Sequence, residues 1–147
     1  MLRGHTPAKV DDKGRLKIPT LFRKYLEDTP GREFFVTSLT CDFVRVYPMP
    51  IWLKIEKKIA AHSSISPPMA RFRNFVNYYG QSATMDDQGR ILIHPLLRLK
   101  SGINGEVAVI GNLSHLDIWN REKFEAMLAS QPLSDDDLKI LSSLGIG

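Results

Sequence analysis

The sequence predicts a mainly β fold with flanking helices, an α+β arrangement built from two copies of one small unit. Three observations predict it. Asp11-Asp12-Lys13-Gly14-Arg15-Leu16-Lys17-Ile18 returns 75 residues later as Asp86-Asp87-Gln88-Gly89-Arg90-Ile91-Leu92-Ile93, self-similarity of the kind that marks a repeated structural unit. Short stretches of alternating apolar and polar residues, bounded by Gly, Pro, Asp and Ser, read as strands. Apolar residues at three- and four-residue spacing lie between and after the copies and read as helices.

In chain order, each copy begins with a short strand (Ala8 to Asp11; Ser82 to Asp86), a glycine-containing turn and a second strand (Arg15 to Ile18; Arg90 to Ile93). This predicts a hairpin in which Gly14 or Gly89 supplies positive φ and an aspartate bonds the turn amides. Pro19 and Pro95 end the extended runs ahead of a helical turn, and Leu21, Phe22 and Arg23 match Leu96, Leu97 and Arg98. Two further strands follow in each copy, Phe34 to Ser38 with Phe43 to Tyr47, and Val107 to Gly111 with His115 to Trp119. Here Arg45-Val46-Tyr47 answers Asp117-Ile118-Trp119, and Trp52 answers Phe124, at an offset of 72.

Ile51, Trp52, Ile55 and Ile59 give one helix an apolar face. Ser66-Pro67-Pro68 reads as the start of another, whose Phe72, Phe75, Val76 and Tyr79 repeat at helical spacing until Gly80. Asn120 is a candidate N-cap, and Ser134-Asp135-Asp136-Asp137 a capping arrangement ahead of a final helix. The expected division is residues 5–52 for the first unit, 53–80 for a helical linker, 81–124 for the second unit and 125–147 for an acidic helical tail.

Composition narrows the function classes. The one cysteine, Cys41, leaves no partner for an intramolecular bridge, and no CxxC or Cys/His cluster offers a zinc site. No apolar stretch of signal-peptide or membrane-span length is present, so a soluble, unexported protein is expected. The net charge is only +4, yet residues 1–25 carry Arg3, Lys9, Lys13, Arg15, Lys17, Arg23 and Lys24 against Asp11 and Asp12. Residues 121–147 reverse the balance, with five acids against three bases, and such a tail should avoid phosphates.

The Asp-Asp-x-Gly-Arg segment has two readings. It is a well-formed turn with a solvated arginine, or it presents that arginine to a ligand. Strand alternation places Arg15 and Lys17 on one face, with Lys9 and Lys13 near, so a cationic two-stranded ribbon results. Such a ribbon fits the DNA major groove, where arginine donates two bonds to guanine and neighbouring lysines hold phosphates. Asp11 with Asp12, and Asp86 with Asp87, also resemble a magnesium or general-acid pair. Neighbours in a strand point apart, however, so one carboxylate of each pair is expected to bond the turn and the other to form a salt bridge. His5, His62, His94 and His115 lack ligand spacing. The sequence therefore leaves three function classes: a promoter-binding regulator, a protein-interaction scaffold of the same fold, and a carboxylate-dependent phosphotransfer enzyme. The first is preferred, with no catalytic residues, cofactor or metal expected.

Met1-Leu2-Arg3-Gly4, the Asp11 to Arg15 turn followed by Leu16-Lys17-Ile18-Pro19, Tyr47-Pro48 with Trp52, Asp86 to Arg90 with Ile91-Leu92-Ile93, and Ile118-Trp119 together resemble the MraZ family over about residues 1–125. The resemblance implies two SpoVT-AbrB-type units that interleave as a swapped-hairpin, double-psi-like β-barrel, with chains joined in a ring. It implies a nucleoid-associated transcriptional regulator that binds short repeated boxes in promoter DNA upstream of the division and cell-wall gene cluster. On the family's Asp-x-x-x-Arg signature, Arg15 and Arg90 are the expected DNA contacts, with Lys13, Lys17, Lys9 and Arg3 in support. Asp11, Asp12, Gly14, Asp86, Asp87 and Gly89 form the turns.

His94 stands where the pattern calls for proline, so a reshaped loop is expected there. Gln88 replaces the charge of Lys13. The first repeat is therefore expected to dominate DNA contact, with the second mainly completing the barrel.

Overall fold

The computed structural model describes residues 1–62 and 66–147. One antiparallel sheet of eight strands dominates: β1 (Leu2–Val10), β2 (Arg15–Lys17), β3 (Glu33–Thr37), β4 (Val44–Pro48), β5 (Gln81–Thr84), β6 (Arg90–Leu92), β7 (Gly105–Leu113) and β8 (His115–Asn120). Their order is β5-β3-β4-β8-β7-β1-β2-β6. The turn after β5 joins the two ends, so the sheet curls into a nearly closed barrel. Exchanging the first four strands with the last four leaves this circular order unchanged, which is the two-unit, interleaved double-psi-like architecture that the family resemblance implies.

The repeats pair with each other more than with themselves. β1 runs its whole length along β7, from Leu2↔Leu113 to Val10↔Gly105, and meets β2 in register only at Val10↔Leu16. β2 pairs with β6 through Arg15↔Leu92, Leu16↔Ile91 and Lys17↔Arg90. β3 pairs with β5 as well as β4, and β4 with β8. The simple hairpins expected from each turn are thus corrected: the turns form locally, but the strands leaving them are shared across repeats. β1 also begins at Leu2 rather than Ala8. Pro7 hides this in the sequence, yet it lies where β1 has β7 as a neighbour and β2 has not begun, an edge on which proline is tolerated.

The barrel interior is filled by residues at equal places in the two copies. Leu16 and Ile91, Ile18 and Ile93, and Phe22 and Leu97 are each no more than 1% exposed. Ile18 N–H donates to Gly89 O (2.8 Å), and Ile93 N–H donates to Gly14 O (2.9 Å). Each glycine turn therefore anchors the strand leaving the opposite turn. Truncating one of these leucines to alanine typically costs about 2–5 kcal/mol, and here the loss falls on both repeats.

Helices cover the outside. α1 (Thr20–Glu27) and α4 (Pro95–Ser101) follow β2 and β6. α2 (Met49–Ala61) and α3 (Pro67–Tyr78) pack on β3 and β4 through a second cluster of Phe35, Tyr47, Trp52 and Val76, with Trp52 stacked on Phe35 at 4.3 Å. α5 (Arg121–Ser130) starts as read from the sequence, with the Asn120 side chain accepting from Lys123 N–H. α6 (Asp135–Ser143) opens with a full Ser134–Asp137 capping box.

The His94 loop is not reshaped. His94 has φ −67° and ψ 157°, close to the −57° and 144° of Pro19. Both residues immediately precede a helix in an extended conformation, and His94 holds its place through Nε2, 2.6 Å from Tyr79 O.

Candidate nucleic-acid interface

Both Asp-x-x-x-Arg turns have the same construction. Asp11 accepts from Lys13 N–H (3.0 Å) and Arg15 N–H (2.9 Å) through Oδ1, and from Arg15 Nε (2.8 Å) through Oδ2. Asp86 accepts from Gln88 N–H (2.9 Å), Arg90 N–H (2.9 Å) and Arg90 Nε (2.8 Å). In each turn one carboxylate both bonds the turn amides and pairs with the arginine; the expected salt bridge of the neighbouring aspartate forms at Asp87, with Arg32, and among the described residues not at Asp12, where that expectation is corrected. Asp12 is exposed, and Asp87 lies 3.6 Å from Arg32. The Arg15 amide is the chief cause holding Asp11 below the usual carboxylate range; partial loss of solvent opposes it, and the Arg15 guanidinium and Lys13 amide reinforce it. Asp86 is lowered in the same way by Arg90 and Gln88.

This construction aims the arginines. The aspartate takes only the inner nitrogen, Nε, and among the described residues none accepts from the two terminal nitrogens of Arg15 or Arg90. Arg15 keeps 32% and Arg90 26% of its side-chain surface exposed. A guanidinium fixed at its base with its outer edge open is a preorganised double donor.

The register of β2 on β6 assembles the face. Leu16 and Ile91 point into the barrel, so Arg15, Lys17, Arg90 and Leu92 all point outward. Arg15 stands opposite Leu92, and Lys17 opposite Arg90. Lys13 tops the first turn and is exposed. Lys9 lies one residue before the Val10–Leu16 pair, exposed on the adjoining strand. Arg3 is not brought to this face: it lies opposite Asn112, six residues back along β1, or about 20 Å at strand rise.

Two cations missed in the sequence reading do reach the turns, each from the opposite repeat. Arg98 of α4 lies across the first turn, where its Nε would be 2.5 Å from a Cβ built on Gly14, and it donates to Ile93 O at 2.8 Å. Arg23 of α1 lies across the second turn, against Gly89, with Nη2 3.4 Å from Asp87 O and Nε 2.6 Å from Glu27. Their offset of 75 was the available signal. The first turn thus has Lys13 and Arg98 on it with Lys9 on the adjoining strand, and the second has Arg23 on it with Lys17 opposite Arg90. The interleaving shares the cations between the two turns, which bears against the division of labour read from charge along the chain.

Comparison with known proteins gives the family. The family model described as "MraZ protein, putative antitoxin-like" matches residues 1–75 and 80–139. The chain belongs to the MraZ family. A protein of Koribacter versatilis (strain Ellin345) named "Transcriptional regulator MraZ" is 44% identical over 147 residues, covering 99% of this chain and 100% of the relative. One of the same name from Acidobacterium capsulatum is 37% identical over 146 residues, covering 99% and 100%. Another from Nitrosospira multiformis is 33% identical over 130 residues, covering 88% of each chain. These relatives mark the MraZ chain as a transcriptional regulator. No helix among the described residues is long and apolar enough to cross a membrane.

Proposed function

We propose that this MraZ chain regulates transcription by sequence-specific binding to double-stranded promoter DNA, with the β2–β6 ribbon in the major groove. The observation that carries this reading is the pair of half-exposed arginines, Arg15 and Arg90, each fixed at Nε by its own aspartate and open at its outer nitrogens. Each is suited to donate two bonds to guanine O6 and N7. Lys13, Lys17, Lys9, Arg23 and Arg98 supply phosphate contacts around them. The targets are short repeated boxes upstream of the division and cell-wall gene cluster, and the protein works in the cytoplasm on the nucleoid. A ring-shaped homo-oligomer fits weak individual sites, because linked contacts raise apparent affinity where boxes are spaced to match adjacent subunits.

No catalytic step is assigned. Asp11 and Asp86 each spend both oxygens on their own turn, which leaves neither well placed as a general base.

Footprinting on the DNA immediately upstream of the protein's own gene tests the reading. Protection of evenly spaced short boxes, weakened by Arg15→Ala with the thermal midpoint kept, is expected. Equal affinity for that fragment and for shuffled DNA would overturn it.

A further inference from the structure

Leu92 is out of character with its surroundings. It sits on the outward face of β6, 49% exposed, while the other outward positions of the ribbon are Arg15, Lys17 and Arg90. Its counterpart in the first repeat is Lys17, so the two otherwise matched halves of the ribbon differ here in chemistry, not in backbone. The barrel core gains nothing from it, because Ile91 is the β6 residue that points inward at 1% exposure. Its register partner is Arg15.

We propose that Leu92 is a specificity-determining residue that contacts the C5-methyl group of a thymine next to the guanine read by Arg15. This rests on the reading of the ribbon as the DNA-facing element. Directly opposite residues on paired strands place their Cβ atoms about 4.5–5.5 Å apart, a separation that side chains leaning toward each other close to the rise of about 3.4 Å between stacked bases. Two side chains so placed reach adjacent base pairs. In the major groove the thymine methyl is the one apolar group that a base presents, and aliphatic side chains meet it by contact. The other half of the ribbon sets Lys17 opposite Arg90, which favours a phosphate or a guanine edge there. The ribbon therefore reads its two halves unequally, and the site it prefers is asymmetric, with a methyl beside one guanine only.

The test uses the full chain and duplexes selected by it from a randomised double-stranded pool. Each thymine of a selected duplex is replaced in turn by uracil, which removes the methyl alone. One position, next to the guanine whose loss is silent in Arg15→Ala, should weaken binding about fourfold, the equivalent of roughly 0.8 kcal/mol for one buried methylene-sized group. Leu92→Ala should bind the thymine and uracil duplexes alike while still requiring Arg15. In a further arm, cytosine and 5-methylcytosine at that position separate recognition of the methyl from recognition of the whole thymine edge. Restored affinity with 5-methylcytosine supports methyl contact, and no restoration overturns it. Equal binding of thymine and uracil duplexes by the unsubstituted protein also overturns the proposal, as does a smaller assembly for Leu92→Ala by light scattering, which would place the residue between subunits. Failure to select any sequence would instead remove the DNA-binding reading on which the proposal stands.

Discussion

Substituting Gly14 with alanine probes the clamp that ties the two repeats together. Gly14 has φ 82°, and an L-residue in that left-handed region costs about 1–2 kcal/mol. The added Cβ would lie 2.5 Å from Arg98 Nε and 2.6 Å from its Cζ, so the guanidinium must move away. Doing so breaks its 2.8 Å bond to Ile93 O, a charge-assisted bond of a class contributing about 1.5–3 kcal/mol; water replaces part of it at this half-buried site, leaving roughly 1 kcal/mol. Gly14→Ala should therefore cost about 2–3 kcal/mol. In an Arg98→Ala background the collision is gone and only the backbone cost of about 1–2 kcal/mol remains. A double-mutant cycle by urea unfolding at fixed protein concentration measures the difference, about 1 kcal/mol of coupling between residues of different repeats. Equal cost of Gly14→Ala in both backgrounds would refute the contact between Arg98 and the first turn.

Three further outcomes are expected. Arg15→Ala and Arg90→Ala should each weaken binding to a cognate duplex by about 1–3 kcal/mol and by similar amounts in a fluorescence titration; a tenfold larger loss for Arg15 would restore a dominant first repeat. Log affinity should fall linearly with log salt by about 0.9 per neutralised phosphate, and Lys17→Ala should reduce that slope by about one such step, whereas an unchanged slope would remove Lys17 from the phosphate contacts. Burial first, and the Arg45 charge second, hold the His115 imidazole below its usual range against the pull of Asp117. Because the folded value is the lower one, stability is full above the ordinary imidazole value of about 6.5 and declines as the pH falls from there through the folded value. His115→Gln should flatten that part of a thermal-midpoint profile, and an unaltered profile would assign the slope elsewhere.

What the sequence made legible was mainly local. The Asp11 and Asp86 turns follow from side-chain bonding within four residues and from a glycine at the fourth position, and both form as read. Strand parity put Arg15 and Lys17 on one face, and both do lie on the outward face, with Leu16 between them buried. Parity identifies a face and not a neighbour, so the pairing of β1 with β7 and of β2 with β6 lay beyond it. The same gap hid how the cations are grouped: Lys17 belongs by sequence to the Arg15 turn and by register to Arg90. Arg98 was hidden more deeply, because reaching Gly14 from α4 requires the interleaving itself. His94 shows the converse error, in which a residue substitution suggested a backbone change. That position needs an extended conformation at a helix entry, and histidine meets the need with a side-chain contact to Tyr79 O.

Interleaving also explains how one small fold can hold two turns rigidly. A two-stranded hairpin alone is marginal in water, and each turn here instead rests on the strand and helix of the other copy. Ile18 is bonded to Gly89, Ile93 to Gly14, and Arg23 and Arg98 lie across the opposite turns. Neither arginine is therefore positioned by its own repeat alone. Covalent linkage of the copies then allows what a symmetric dimer of identical units does not: Lys13 and Gln88, or Lys17 and Leu92, differ in charge on an otherwise matched backbone. The common core fixes where the two guanidinium groups stand, and the unmatched side chains beside them make the two halves of the ribbon chemically different.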